Sequence, residues 1–296
     1  MKRPWVLGVD FGGPVRARDQ ARKIIALAAE ALGPGRYRIR SDGFNARLLT
    51  GARPGFGAAE LAEALVTAEL APRVIGFDFP FSLPVRLLQD AEFAALAGAG
   101  AAFLDWSSFN AFVAARLPLT DPLDLSPFAA WRDVRFWIGR DTDRAVRGQP
   151  PLKHRFQVTF NMTLLGNALL ARLRQSGRYA ILPFDSPGER SRVAEVYPGQ
   201  LMRQLKIPGY KSTPIPAVAA VLEKLASLGI ALQLDAGVRA FCEGYDTGRA
   251  PHHDFDGADA LAALALSIAL DLDLARPQTT GARVDAVGEG ATYGLP

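Results

Sequence analysis

Five carboxylates stand where short apolar runs end or a long helix begins. Asp10 closes the run WVLGVD ahead of Phe11-Gly12-Gly13, Asp78 lies in VIGFDFPFSLP, and Glu195 lies in VAEVYPG. Asp256 and Asp259 open the Ala/Leu-rich stretch DGADALAALALSIAL. Side chains at strand ends of an α/β sheet face the crevice where ligands usually bind. Asp256 and Asp259 are spaced i, i+3, which puts both on one face of a helix start, where the helix dipole favours negative charge. Several carboxylates gathered this way form a hard oxygen site suited to Mg²⁺ or Mn²⁺, with positions left for water and a substrate phosphate. Such ions assist in-line cleavage of phosphodiesters. Zinc fits less well, because His154, His252 and His253 have no cysteine partners at tetrahedral-site spacing.

Each acid also has a plain structural reading. Asp10 can start a turn, Asp256 can be an N-cap with Asp259 three residues on, and Glu195 can be a solvent-facing strand residue. Asp78 is harder to dismiss. It lies between Phe77 and Phe79 in an otherwise apolar strand, and a buried charge needs a partner or a metal.

Elements must bring these residues together. Trp5–Asp10 reads as a strand stopped by Gly-Gly-Pro, Tyr37–Asn45 as a half-buried strand, and Arg73–Phe79 as a strand between two prolines. Lys23–Leu32 is ambiguous: its alanines and leucines favour helix, whereas a three-strand meander needs a strand there. Ala58–Leu70, Thr163–Gln175, Pro214–Leu228, Ala236–Tyr245 and Ala258–Asp273 read as helices, and Tyr179–Pro183 and Arg192–Tyr197 as strands. Residues 84–157 break the pattern with short helical pieces, Pro/Gly breaks and most of the tryptophans, and read as a helical insertion or lid. The tail GARVDAVGEGATYGLP reads as a surface segment or edge strand. The sum is an α/β chain with a mixed sheet and helices on both faces, expected as one domain over 1–296 with an insertion at about 84–157.

Composition narrows the setting. At 49% hydrophobic residues the chain can bury a sizeable core. No apolar run reaches the roughly 18–20 residues of a membrane span, because the best stretch, Ala258–Ala269, runs into Asp271 and Asp273. The apolar start ends at Asp10, too short for a signal-peptide core. The single cysteine, Cys242, fits a reducing cytosol and predicts a cytoplasmic protein, with the thiol on a buried helix face. The net charge of +4 is concentrated: residues 131–155 hold seven Lys/Arg against three Asp, and the rest of the chain balances. That stretch, interleaved with Trp131, Phe136 and Trp137, can follow a phosphate backbone and stack on bases. It can equally be an amphipathic helix with Trp131, Val134 and Phe136/Trp137 turned inward.

With these residues assembled, the chain resembles the DUF429 family, described as predicted nucleases of the RNase H-like fold. The resemblance rests on GVDFGG (8–13), IGFDFPFSLP (75–84), EVYPG (195–199), GYK (209–211), DGADALAALAL (256–266) and GEGATYGLP (288–296), in that order. The segment from Asp256 also looks like the last-helix motif of the RuvC-type junction resolvases. The resemblance implies an RNase H-like mixed sheet and makes Lys23–Leu32 a strand between Trp5–Asp10 and Tyr37–Asn45. It implies that Asp10, Asp78 and Asp259, with or without Asp256, hold Mg²⁺ or Mn²⁺, and Glu195 matches a further family motif. Lys211 is implied as a phosphate contact, and the basic stretch adds Arg144, Lys153 and Arg155 as contacts to a nucleic acid. Gly12 departs from the family, where a small hydroxyl residue often stands. The function expected is a metal-dependent nuclease. Two other readings are an actin/sugar-kinase-like phosphotransferase using Asp-Phe-Gly-Gly as a phosphate turn, and a non-catalytic binding protein that keeps the fold.

Overall fold

The computed structural model describes residues 5–49, 55–67, 72–155, 159–207, 209–210, 214–244, 256–278 and 289–295. Among them nine strands form one mixed sheet: β1 (Trp5–Phe11), β2 (Ile24–Gly33), β3 (Arg36–Ile39), β4 (Pro72–Asp78), β5 (Tyr179–Ile181), β6 (Ser191–Val196), β7 (Ala231–Leu234), β8 (Arg276–Gln278) and β9 (Thr292–Gly294). Their order is β7-β3-β2-β1-β4-β6-β9-β8, with β5 beside the first half of β6. β2 runs antiparallel to both β1 and β3, and β4, β6 and β9 continue parallel to β1.

The helices are α1 (Ala17–Gln20), α2 (Ala58–Val66), α3 (Val85–Leu88), α4 (Ala91–Leu96), α5 (Trp106–Arg116), α6 (Asp141–Ala145), α7 (Phe160–Gln175), α8 (Pro198–Gln204), α9 (Pro214–Ser227), α10 (Ala236–Cys242) and α11 (Asp256–Asp271). They cover both faces of the sheet. One core gathers α2, α7 and the α3–α6 region against Leu7, Val9, Ile75 and Phe77. The other gathers α8 to α11 against Val6, Val74, Ala194 and Val196. Among the described residues no helix is long and apolar enough to cross a membrane.

β2 decides the ambiguous segment. Its residues 24–29 feed the two cores alternately, Ile24, Ala26 and Ala28 on one face and Ile25, Leu27 and Ala29 on the other. A strand buried on both faces reads as an unbroken apolar run, and pairing along the whole of β1 outweighs an alanine helix preference of a few tenths of a kcal/mol per residue. β3 is shorter than the expected Tyr37–Asn45, because the chain turns at Gly43 (φ +61°) into a 3₁₀ turn over Gly43–Leu49. Asn45 is therefore not a strand residue. Its buried amide bonds both the N–H (2.9 Å) and the C=O (2.8 Å) of Ala28, completing the edge of β2 that β3 leaves uncovered.

The helical segment between β4 and α7 packs around aromatic rings. Trp131 stacks on Phe93 at 4.4 Å and donates its indole N–H to the Phe93 carbonyl. The amphipathic helix expected from Trp131 onward is replaced by two 3₁₀ turns, Ser126–Arg132 and Val134–Phe136, and Val134 is 67% exposed rather than inward. The tail corrects in the opposite direction. Thr292 and Leu295 are buried, and β9 lies between β6 and β8 rather than at an edge. Residues 281–288 of that tail lie outside the described residues.

Candidate metal centre

The site is built at the C-terminal ends of the central parallel strands. Asp10 and Asp78 are register partners on β1 and β4, so their side chains leave the same face of the sheet on strands about 4.8 Å apart. That face is the one covered by α11. Two glycines let the helix lie almost on the strands: a Cβ at Gly8 would strike the Leu264 backbone, and one at Gly76 would strike the Ser267 hydroxyl. The first turn of α11 is thereby lowered onto the strand ends. Carboxylate oxygens of Asp10, Asp256 and Asp259 all lie within 4.8 Å of one another. Asp259 is buried, and the other two are partly so.

Asp78 is not in that tight trio, but it lines the adjoining cavity together with Asp259. Tyr210 ties them together. Burial pushes its phenol far above the ordinary value, reinforced by a hydrogen bond to Asp259 and by the charges of Asp259, Asp78 and Asp10. The phenol therefore stays protonated and donates to Asp259. Lys23 reaches the trio from the other side, its ammonium 3.0 Å from Asp256. The turn holding Gly12 is closed by its N–H bonding the Lys23 carbonyl at 2.6 Å, and the Gly13 carbonyl accepts from Asn161 at 2.9 Å.

Glu195 points elsewhere. It sits opposite Phe77 on the neighbouring strand, so it leaves the face away from Asp78. There its carboxylate takes Arg140 through two bonds (2.6 and 2.7 Å), the Phe81 N–H (2.8 Å) and the Thr292 hydroxyl (2.9 Å). Arg140 is fully buried and also grips Asp143 at 2.6 and 3.0 Å. Burial, aided by the nearby Glu195, pushes the Asp143 carboxyl upward against the pull of Arg140. The structure brings Glu195 to this ion network, not to the trio.

Between the two groups lies a cavity of about 490 Å³, walled by Asp78, Asp259 and Tyr210 on one side and Arg140, Asp143 and Glu195 on another. Among the expected phosphate contacts, Arg144 is exposed and paired with Asp141 at 3.2 Å, Lys153 bonds Gln149 at 2.6 Å, and Arg155 is exposed. Lys211, His252 and His253 lie outside the described residues. Cys242 is buried on α10, its thiol pushed up to about 12 by burial.

Sequence reasoning passed over Tyr210 and the Arg140–Asp143 pair. In the sequence Tyr210 is the middle of Gly-Tyr-Lys, where only the lysine carries a charge. Arg140 was hidden in a basic stretch that reads as solvated, and only its spacing to Asp143 hinted at a pair.

Comparison with known proteins adds no relative. No family model matches the chain, and no curated protein and no solved structure matches it significantly.

Proposed function

We propose that the protein is a divalent-metal-dependent nuclease of RNase H-like fold that hydrolyses phosphodiester bonds in nucleic acid. The observation that carries this reading is the convergence of Asp10, Asp256 and Asp259 oxygens within 4.8 Å at the strand ends, with Asp78 in register beside Asp10. The donor set fits the metal: every donor is a hard carboxylate oxygen, the type that Mg²⁺ and Mn²⁺ prefer. The antiparallel β1–β2–β3 meander continued by parallel strands supports the fold reading, since the family resemblance requires a strand where β2 stands.

In this reading Asp10, Asp78 and Asp259 hold the ion from rigid element ends, and Asp256 is shared with Lys23. A cation bound there supplies an acidified water and neutralises charge on the phosphodiester. Tyr210 fixes the Asp259 carboxylate through its hydrogen bond. The adjoining cavity, about 490 Å³, is large enough for a nucleotide-sized group. The phosphotransferase alternative loses ground at Gly12, whose N–H is committed to Lys23 rather than open to a phosphate.

The test is cleavage of labelled oligonucleotides with Mn²⁺ or Mg²⁺. Asp10→Asn should lose cleavage by about a hundredfold or more, as expected when a transition-state contact worth roughly 3 kcal/mol is removed, while the thermal midpoint stays level or rises as like-charge repulsion is relieved. Cleavage unchanged in a folded Asp10→Asn protein refutes the assignment.

A further inference from the structure

A second cleft lies on the insertion. It measures about 380 Å³ and is lined by Arg132, Asp133, Val134, Trp137, His154 and Arg155. Its parts do not resemble the rest of the insertion's aromatic core. Trp106 and Trp131 are buried, with their indole N–H groups bonded to backbone carbonyls. Trp137 is only partly covered, and its N–H goes to the His154 Nδ1 at 3.3 Å, with the two rings edge to face at 5.2 Å. That bond holds the indole by its N–H edge.

The charges are arranged for an anion. Arg132 and Arg155 are both exposed, and among the described residues neither makes an ion pair with a carboxylate. Burial, and after it the charges of Arg155 and Arg132, lower the His154 imidazole below its ordinary value. The one acid in the cleft, Asp133, is already engaged. Its carboxylate accepts from the Arg135 N–H at 3.0 Å and lies 3.5 Å from the Arg135 side chain. Val134, 67% exposed, adds an apolar wall. A partly exposed indole flanked by two exposed guanidinium groups is the pattern that takes unpaired bases and their phosphates. An acidic peptide offers the charge but no planar group for the indole.

The cleft shares a stretch of chain with the carboxylate cavity. Gly148 and Gln149 line the carboxylate cavity, and His154 and Arg155 line the cleft, so one short segment of chain borders both. The start of α7 does the same: Thr159 and Met162 face the cavity, while Arg132 lies over the Phe160 ring at 5.2 Å.

We propose that the cleft between Arg132, Trp137, His154 and Arg155 binds single-stranded nucleic acid, one base stacking on Trp137 and the flanking phosphates meeting the two arginines. This deepens the nuclease reading, and rests on it for the role of the cleft in delivering a strand to the carboxylates. Binding itself is independent of metal and of cleavage.

The experiment is fluorescence anisotropy with a labelled 12-mer oligothymidine and its duplex form, in EDTA, on the full chain. Wild type should bind the single strand and prefer it to the duplex. Trp137→Ala should weaken binding at least about fivefold, the loss expected for one stacked base. The exposed pair Arg132→Ala/Arg155→Ala, which need not disturb folding, should flatten the dependence of log affinity on log salt by about 1.4. Single-strand affinity unchanged in both variants, no binding by wild type, or equal competition by polyglutamate each overturns the proposal. Binding that depends on Trp137 without any metal-dependent cleavage leaves the cleft standing and removes the nuclease reading. Cleavage indifferent to Trp137 and the arginines does the reverse.

Discussion

Asp259 answers to three neighbours at once. It is buried at 3% exposure, receives the Tyr210 phenol, and shares a 4.8 Å neighbourhood with Asp10 and Asp256. A carboxylate so enclosed among like charges is costly unless a cation offsets it. Tyr210 holds its orientation, so Tyr210→Phe should weaken Mn²⁺ binding by about tenfold, a usual loss for a group that orients a ligand. Titration calorimetry checks this, and equal affinity in the two proteins removes Tyr210 from the site. The acids themselves are legible in the sequence, because they stand where apolar runs end or a long helix begins. Tyr210 is not, because its role depends on the first turn of α11, a separate element, folding against it. Glu195 shows the opposite limit: its motif was visible, but which face it leaves depends on strand register with Phe77.

At the scale of elements, the contact between α11 and the β1–β4 pair sets the geometry. Gly8 and Gly76 allow the helix backbone to approach where any side chain would collide, and alanines at 258, 260, 262, 263 and 265 keep the helix slim. Gly8→Ala should destabilise the fold by about 3 kcal/mol through overpacking and weaken metal binding in step with it, since the first turn of α11 is lifted from Asp10. Denaturant midpoints and calorimetry on the same variant check this, and unchanged metal affinity would show that the helix position does not set the site. Most element types could be read from periodicity, and β4, β5 and β6 fall within a residue or two of expectation. β2 could not be read from propensity, because its alanines serve two-sided burial rather than helix formation. The short strands β7 and β8 gave no pattern long enough to register.

For the molecule as a whole, the Arg140 network fastens the segment between β4 and α7 to the sheet. Arg140 and Asp143 belong to that segment, Glu195 to β6 and Thr292 to β9. Glu289 adds to the fastening, accepting from the Val85 N–H at 3.1 Å and the Asp141 N–H at 2.8 Å. Glu195→Gln strips one partner from a fully buried guanidinium and should cost about 3–5 kcal/mol, read as a lower denaturation midpoint, with Mn²⁺ affinity unchanged in the folded protein. Loss of Mn²⁺ binding without loss of stability would place Glu195 among the metal ligands instead. The basic stretch is thereby divided: Arg140 is buried and structural, while Arg132 and Arg155 are exposed. Only packing separates them. The most direct test of the carboxylate centre is anomalous scattering from crystals soaked in Mn²⁺. The expected result is a peak within about 2.1–2.2 Å of oxygens from Asp10 and Asp259, absent after the same soak of Asp10→Asn. No peak at these carboxylates, with the ion seated elsewhere or nowhere, would contradict it.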